Sequence, residues 1–281
     1  MPNGYSLILS IPHSSTFIPS LYYYHPRLYR TGGVSYNRSP FFFGAAERRR
    51  KLKIDLELGF MTDWYTDELF DRGLGSAVKA EVSRLYCDVE RFRDDEKESM
   101  SRVGMGVCYT RDFDGEILRD VPPEEKKRIL ERYYDPYHRA LTTLVENALD
   151  KGERPLILDC HSFYPEPLPY EESNPDARHR PDISIGTDNF HTPEELTEKL
   201  TGYFTSLGYS VALNSPFSGS LVPSSYYRRD RRVKSVMIEI NRKLYLMNRD
   251  GGSYTWSQEK SPGFYILQKE IEELEKILAG M

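Results

Sequence analysis

The chain has 281 residues, of which 39% are hydrophobic and 13% aromatic, and its formal net charge is −5. This length and apolar content suit a folded protein of one large or two small domains and argue against wholesale disorder. The negative charge disfavours a nucleic-acid binder, which usually presents a basic face, so we expect no nucleic acid among the partners.

Six short apolar runs predict β-strands. Several of them are continuous rather than alternating, which is typical of strands buried on both faces of a sheet. In chain order these runs cover residues 5–11, 76–82, 84–89, 155–160, 209–214 and 234–240.

Helical patterns lie between these strands. Proline near the start and glycine at the end give two of them the usual polarity of a helix. In the longest, Pro136 is expected to kink the helix or split it in two. Strands that alternate with helices predict an α/β sandwich with a mixed or mostly parallel sheet. The predicted helices cover residues 63–72, with Thr62 as a possible N-cap, 122–152, 192–208 and 262–280.

Cysteine usage and the amino terminus indicate the compartment. Three cysteines with no close pair argue against a disulfide scaffold and for reducing surroundings. The first residues, MPNGYSLILSIPHSS, lack the basic start and the long apolar run of a signal peptide. No apolar stretch approaches the ~20 residues of a membrane span. We therefore expect a cytoplasmic protein with no membrane partner.

Polar residues stand at or near the ends of three predicted strands. His13 follows the first strand, His161 follows the strand at 155–160, and Glu239 lies among apolar neighbours in VMIEINR. Sites in open α/β sheets form at the carboxyl ends of strands, so these side chains could converge. A single histidine at a strand end is more often structural than a ligand. Glu239 has its own alternative, a salt bridge to Arg242 or another arginine.

A zinc site would explain two histidines at strand ends. A catalytic zinc ion usually has three protein ligands and one open position for water. His13 and His161 can supply two ligands. Asp63 and Asp67 are four residues apart, so on a helix they share one face, and either could be the third. The alternative is that both aspartates only favour a helix N-terminus electrostatically.

Six motifs in order resemble the N-formylglutamate amidohydrolase family: IPHSS, DWYTDELF, SRLYCDVERFRDD, DCHSF, NSPFSGS and IEINRKLY. The family is similar in fold to zinc carboxypeptidases. The resemblance therefore implies a three-layer α/β/α sandwich with a mixed, mostly parallel central sheet, forming a single catalytic domain over residues 1–281. It also implies one Zn2+ per chain and hydrolysis of the amide of a small N-acylated acidic amino acid. N-formyl-L-glutamate would give formate and glutamate, the last step of one histidine-degradation route.

The resemblance also implies roles for individual residues. Glu239 matches the general base. Apart from the resemblance, Arg84 and Arg91 are the candidate cations that would stabilise an oxyanion, and Arg84 has a structural pair to Asp88 as its alternative. The metal ligands implied are His13, His161 and one or both of Asp63 and Asp67. Asp159, two residues before His161 on one strand face, and Ser162 are candidates to orient a ligand.

Substrate recognition is predicted from arginine, which suits planar carboxylate groups. The candidates are Arg91, Arg178, Arg180 and Arg242, together with Asn214 and Gly219 of the NSPFSGS loop, for which ordinary turn chemistry is the alternative. The chain departs from the family pattern at Glu90, because many members carry asparagine before the arginine. A glutamate repels a carboxylate and does not donate as asparagine does. A related zinc hydrolase with another N-acyl amino acid or peptide substrate, and a non-catalytic binding protein, are the competing hypotheses.

Overall fold

The structure is a computed structural model and describes residues 4–19, 45–171, 180–248, 250–252 and 255–281. Arg178, a predicted substrate-binding residue, lies outside the described residues. The helices and strands in chain order are β1 (Tyr5–Ile11), α1 (Ala45–Met61), α2 (Thr66–Phe70), β2 (Ser76–Lys79), α3 (Pro123–Ile129), α4 (Asp135–Asp150), β3 (Arg154–Phe163), β4 (Ile183–Gly186), α5 (Glu194–Ser206), β5 (Val211–Leu213), β6 (Lys234–Asn241), β7 (Leu246–Asn248), β8 (Trp256–Lys260) and α6 (Pro262–Ala279).

Within the described ranges, six strands form one sheet in the order β2-β1-β3-β6-β4-β5. Strands β1, β2, β3 and β6 run parallel, and β4 pairs antiparallel with β6. The sheet is therefore mixed and mostly parallel, as predicted. Because β1, β3 and β6 are parallel neighbours, their carboxyl ends meet at one edge of the sheet.

Helices cover both faces of this sheet. Helices α1 and α4 pack on one face through side chains such as Ile54 and Leu141, against Ile8 and Ile157. Helices α2, α5 and α6 pack on the other face, in a second core that includes Leu158. Alternation along each strand sends successive side chains to opposite faces, so a continuous apolar run contributes to both cores.

Two local predictions are wrong. The run at 84–89 is not a strand, because the backbone N–H of Cys87 donates to the carbonyl of Ser83 at 3.1 Å and turns the chain. The helix predicted at 63–72 begins only at Thr66, since Tyr65 has a left-handed φ of 63°. Asp63 therefore lies before the helix and Asp67 in its first turn, and the two do not share a helix face.

The long predicted helix is interrupted where proline was expected to act. Helix α3 ends at Ile129, one π-helical turn covers Leu130–Tyr134, and Pro136 lies in the first turn of α4. Proline lacks an N–H group and is tolerated in the first turn of a helix, which accounts for the break. None of the helices in the described part of the chain is long and apolar enough to cross a membrane.

Candidate active site

Three neighbouring strands bring the predicted residues together at the carboxyl edge of the sheet. His161 on β3 is the register partner of Glu239 on β6, so the two side chains lie on the same face. His13 follows β1, the other neighbour of β3. The backbone N–H of Asp63 donates to the carbonyl of His13 at 3.0 Å, which fixes Asp63 at the same edge. The convergence predicted from strand ends is therefore present.

The two imidazoles form a buried pair surrounded by carboxylates. Their ring centroids are 5.1 Å apart, and His13 and His161 are only 2% and 3% exposed. His13 Nε2 lies 2.9 Å from Asp88 Oδ1, and His161 Nδ1 lies 3.1 Å from Asp63 Oδ2. Asp63 Oδ2 is also 3.7 Å from His13 Nδ1, so this carboxylate faces the Nδ1 atoms of both rings.

Glu90 faces the opposite side of the imidazole pair. Its Oε1 lies 3.0 Å from His161 Nε2, and its Oε2 lies 3.7 Å from His13 Nε2. Atoms of His13, Glu90 and His161 that can ligate a metal all lie within 4.8 Å of one another. The sequence showed Glu90 only as a departure from a family pattern. Its two-residue spacing from Asp88 in DVE was the available signal, because both carboxylates reach this pair.

Asp88 connects the histidine pair to two arginines. Its Oδ2 accepts hydrogen bonds from Arg84 Nη2 and Tyr109 Oη, both at 3.0 Å, and lies 3.4 Å from Arg91 Nε. The structural pairing of Arg84 with Asp88 is therefore present. The guanidinium groups of Arg84 and Arg91 stand beside the cluster, where they lower the pKa of Asp88 against the opposing effect of its burial.

Arg242 does not pair with Glu239. It is 3% exposed and donates to Asp63 Oδ1 at 3.0 Å, to Ser162 Oγ at 3.2 Å and to the carbonyl of Phe60 at 2.6 Å. Ser162 lies next to His161 on β3 and points to the other face of the strand. Its backbone N–H donates to Asp63 Oδ2 at 3.2 Å. Arg242 and Ser162 together hold the carboxylate of Asp63 against His161.

Glu239 is buried without a strong local partner. It is 7% exposed, and its Oε2 has no hydrogen-bond partner among the described residues. Burial raises the pKa of Glu239 to about 8, with the charges of Asp63 and Glu90 adding and His161 opposing. Burial alone would raise the pKa of Asp63 too, but the hydrogen bond with His161 and the nearby His13 and Arg242 outweigh it and bring that pKa below its ordinary value.

The other predicted residues lie at different distances from this centre. Asp159 Oδ1 is 3.3 Å from His161 Nε2, and its Oδ2 accepts from the backbone of Leu221, next to the NSPFSGS loop. In that loop Asn214 donates to Thr187 Oγ1 at 2.8 Å, and Gly219 has a left-handed φ of 90°. No contact in the described part of the chain joins the Asp67 side chain to either histidine.

The donor set fits a divalent cation. Two imidazoles and several carboxylates are the ligand types that zinc accepts. His13 Nδ1 is buried and has no hydrogen-bond partner among the described residues, so it retains a free ligand position. The carboxylates on the far sides of the rings hold their orientation, as in many metal sites.

The chain is similar to known proteins in sequence and in structure. The N-formylglutamate amidohydrolase family model matches residues 43–246. The chain is 29% identical over 227 residues to an N-formylglutamate deformylase of Pseudomonas putida, covering 78% of this chain and 81% of the relative. It is 29% identical over 194 residues to the Pseudomonas aeruginosa N-formylglutamate deformylase, covering 66% and 71%. The crystal structure of N-formylglutamate amidohydrolase from Ralstonia eutropha JMP134 superposes with a TM-score of 0.71 at 26% identity, covering 99% of this chain and 95% of that one. This chain therefore belongs to the N-formylglutamate amidohydrolase family.

Proposed function

We propose that this protein is a zinc-dependent amidohydrolase that cleaves N-formyl-L-glutamate to formate and glutamate. The observation that carries the proposal is the convergence of His13, His161 and surrounding carboxylates beside the buried Glu239. Family membership and the names of the two Pseudomonas relatives support the reaction class and the substrate.

His13 and His161 would hold one zinc ion per chain. Two carboxylates compete to be the third ligand. Asp63 lies on the Nδ1 side, where His13 Nδ1 is free, and Glu90 lies on the Nε2 side, where its two oxygens face the two rings. The carboxylate that does not ligate would orient the imidazoles. Asp88, 2.9 Å from His13 Nε2, would orient His13 when Nδ1 is the ligand atom and would compete with zinc for Nε2 otherwise.

A zinc ion bound there would lower the pKa of a water molecule and polarise the substrate carbonyl. Glu239 as a carboxylate takes a proton from the attacking water while the water oxygen bonds to the formyl carbon. The same proton then passes to the amine nitrogen as the C–N bond breaks, which leaves formate and glutamate. Arg84, whose Nη2 lies 3.0 Å from the carboxylate of Asp88 that contacts His13, would stabilise negative charge that develops on the carbonyl oxygen.

Metal content and formate release test this proposal together. Purified protein is analysed by mass spectrometry for metals, beside a His161→Ala variant. We expect about one zinc per chain and formate release from N-formyl-L-glutamate, both lost in the variant. Full turnover by a metal-free variant would contradict the proposal.

Glu90 favours a second candidate, hydrolysis of a different N-acyl amino acid. Its carboxylate lies 3.0 Å from His161 Nε2, where it repels a substrate carboxylate placed next to the cluster. A panel of N-formyl and N-acetyl amino acids with acidic and neutral side chains separates the two candidates. Preference for a neutral amino acid would support the second.

A further inference from the structure

We propose that Arg180 binds the side-chain carboxylate of the substrate and so selects an acidic amino acid. This inference rests on the proposed function and assigns its substrate specificity to one residue. It differs from recognition by Arg84 or Arg91, whose guanidinium groups face Asp88.

The position of Arg180 follows from the strand that carries His161. Phe163 is two residues further along β3, so its ring lies on the same face as His161, about 7 Å along the strand. The guanidinium carbon of Arg180 is 5.5 Å from the ring centroid of Phe163 and 5.7 Å from that of Phe217. The rings of Phe163 and Phe217 therefore hold the guanidinium of Arg180 beside the residue that follows His161 on the same face of β3.

The guanidinium of Arg180 has donors that the protein leaves unsatisfied. Its side chain is 8% exposed. Nη2 donates to the carboxylate of Glu171 and lies 3.5 Å from the carbonyl of Glu166, but Nε and Nη1 are buried with no hydrogen-bond partner among the described residues. A buried donor without an acceptor is costly, and a carboxylate ligand would satisfy it with a charge-assisted hydrogen bond.

The remaining arginines at the site are less suitable. Arg242 is occupied by Asp63, Ser162 and Phe60. Arg84 and Arg91 both face the carboxylate of Asp88. The carboxylate of Glu90, the residue before Arg91, contacts His161. Arg91 Nε also lacks a hydrogen-bond partner among the described residues, but it faces Asp88 at 3.4 Å, and a substrate carboxylate there meets the charges of both Asp88 and Glu90. Arg180 is paired with one carboxylate, that of Glu171, and leaves two donors, Nε and Nη1, unsatisfied.

The distances suit a glutamate side chain. In N-formylglutamate five bonds separate the formyl carbon from the side-chain carboxylate carbon, and an extended chain that advances ~1.2 Å per bond spans roughly 6 Å over them. Phe163, against whose ring the guanidinium of Arg180 packs, lies about 7 Å from His161 along β3, which is a similar length. A neutral amide has nearly the same size as the carboxylate but would gain no ion pair with Arg180.

Kinetics with two substrates of matched size test the inference. N-formyl-L-glutamate and N-formyl-L-glutamine are compared in wild type, Arg180→Gln, Arg180→Lys and the control Glu171→Gln. We expect the kcat/KM of the wild type to be at least tenfold higher for N-formyl-L-glutamate than for N-formyl-L-glutamine. R180Q should raise the KM for N-formyl-L-glutamate at least tenfold, with its kcat and the kinetics of N-formyl-L-glutamine unchanged. R180K should restore part of the lost affinity. E171Q, which removes only the neighbouring carboxylate, should keep the preference.

A binding measurement adds a readout that does not depend on turnover. Calorimetry on Glu239→Gln, with and without R180Q, measures the affinity for N-formyl-L-glutamate, which we expect to fall at least tenfold when Arg180 is replaced. Thermal unfolding checks that each variant is folded. Equal loss for both substrates in folded R180Q would show a structural role and overturn the inference.

The possible failures are distinguishable. If wild type with zinc hydrolyses neither substrate nor any acidic N-acyl amino acid, the proposed function fails. If wild type hydrolyses N-formyl-L-glutamate but shows no preference over the glutamine analogue, the inference about Arg180 fails while the function stands. Because this comparison uses only the wild type, it tests the inference about Arg180 even if R180Q does not fold.

Discussion

Two buried glutamates on opposite faces of the sheet have similarly raised pKa values but different surroundings. Burial raises the pKa of Glu239 and of Glu275 to about 8. Glu275 is fully buried in α6, and neither of its carboxylate oxygens has a hydrogen-bond partner among the described residues. Its nearest charges, Asp71 and Arg72, only adjust the effect of burial.

The comparison teaches that burial of a carboxyl group does not by itself mark a site. Glu275 lies between Leu274 and Leu278 in the core formed by α2, α5 and α6. Glu239 lies beside His161 at the strand edge where histidines, carboxylates and arginines converge. Replacing Glu239 should therefore affect chemistry, and replacing Glu275 should affect only stability.

Glu239→Gln should cause the largest change. The variant keeps the size of the side chain but cannot accept the proton, so we expect turnover to fall about 10²–10⁴-fold with metal content unchanged. Formate release and metal analysis on the same preparation measure both. Glu275→Gln is the matched control and should keep wild-type turnover. Equal losses of turnover in the two variants would contradict the distinction between a catalytic Glu239 and a structural Glu275.

Arg242→Met should destabilise the fold strongly. It leaves the carboxylate of Asp63 buried without its 3.0 Å partner, and breaking a buried pair in this way typically costs about 3–5 kcal/mol. Urea denaturation of the metal-free protein measures the free energy of unfolding. A variant of normal stability with a raised KM would instead support the earlier prediction that Arg242 binds substrate.

Asp63→Asn and Glu90→Gln should separate the two carboxylates of the histidine pair. The variant that removes a ligand should lose zinc on dialysis, while the one that removes an orienting group should weaken zinc binding only about 10–100-fold. Competition with a chelator measures both affinities. Wild-type zinc affinity in both variants would exclude either carboxylate as the third ligand.

Glu275→Gln should leave turnover unchanged and should change stability to an extent that depends on pH. The folded-state pKa of about 8 lies above the ordinary 4.5, so the folded protein binds a proton that the unfolded chain releases. Stability should therefore fall as pH rises from about 4.5 to 8, and glutamine should remove this loss. The gain in melting temperature of E275Q should be small near pH 5 and larger near pH 8. Glu273→Gln, which replaces an exposed carboxylate on the same helix, is the matched control.

The sequence by itself determined the strands that build the site. Continuous apolar runs predicted β1, β3 and β6, and polar residues at their ends identified His13, His161 and Glu239. This worked because burial on both faces leaves a local pattern, and parallel neighbours place their carboxyl ends at one edge. The closing helix and the break at Pro136 were likewise predictable from local chemistry.

Only the tertiary structure decided the side-chain partners around that edge. The apolar run at 84–89 resembles a strand in sequence but forms a turn. The backbone N–H of Asp88 donates to the Val107 carbonyl, and the Asp88 side chain contacts His13. These contacts place Glu90 beside the histidine pair. Arg242 pairs with Asp63, 179 positions away in the chain, rather than with nearby Glu239. Local periodicity reports which residues are buried, whereas charged partners are set by contacts between segments far apart in sequence.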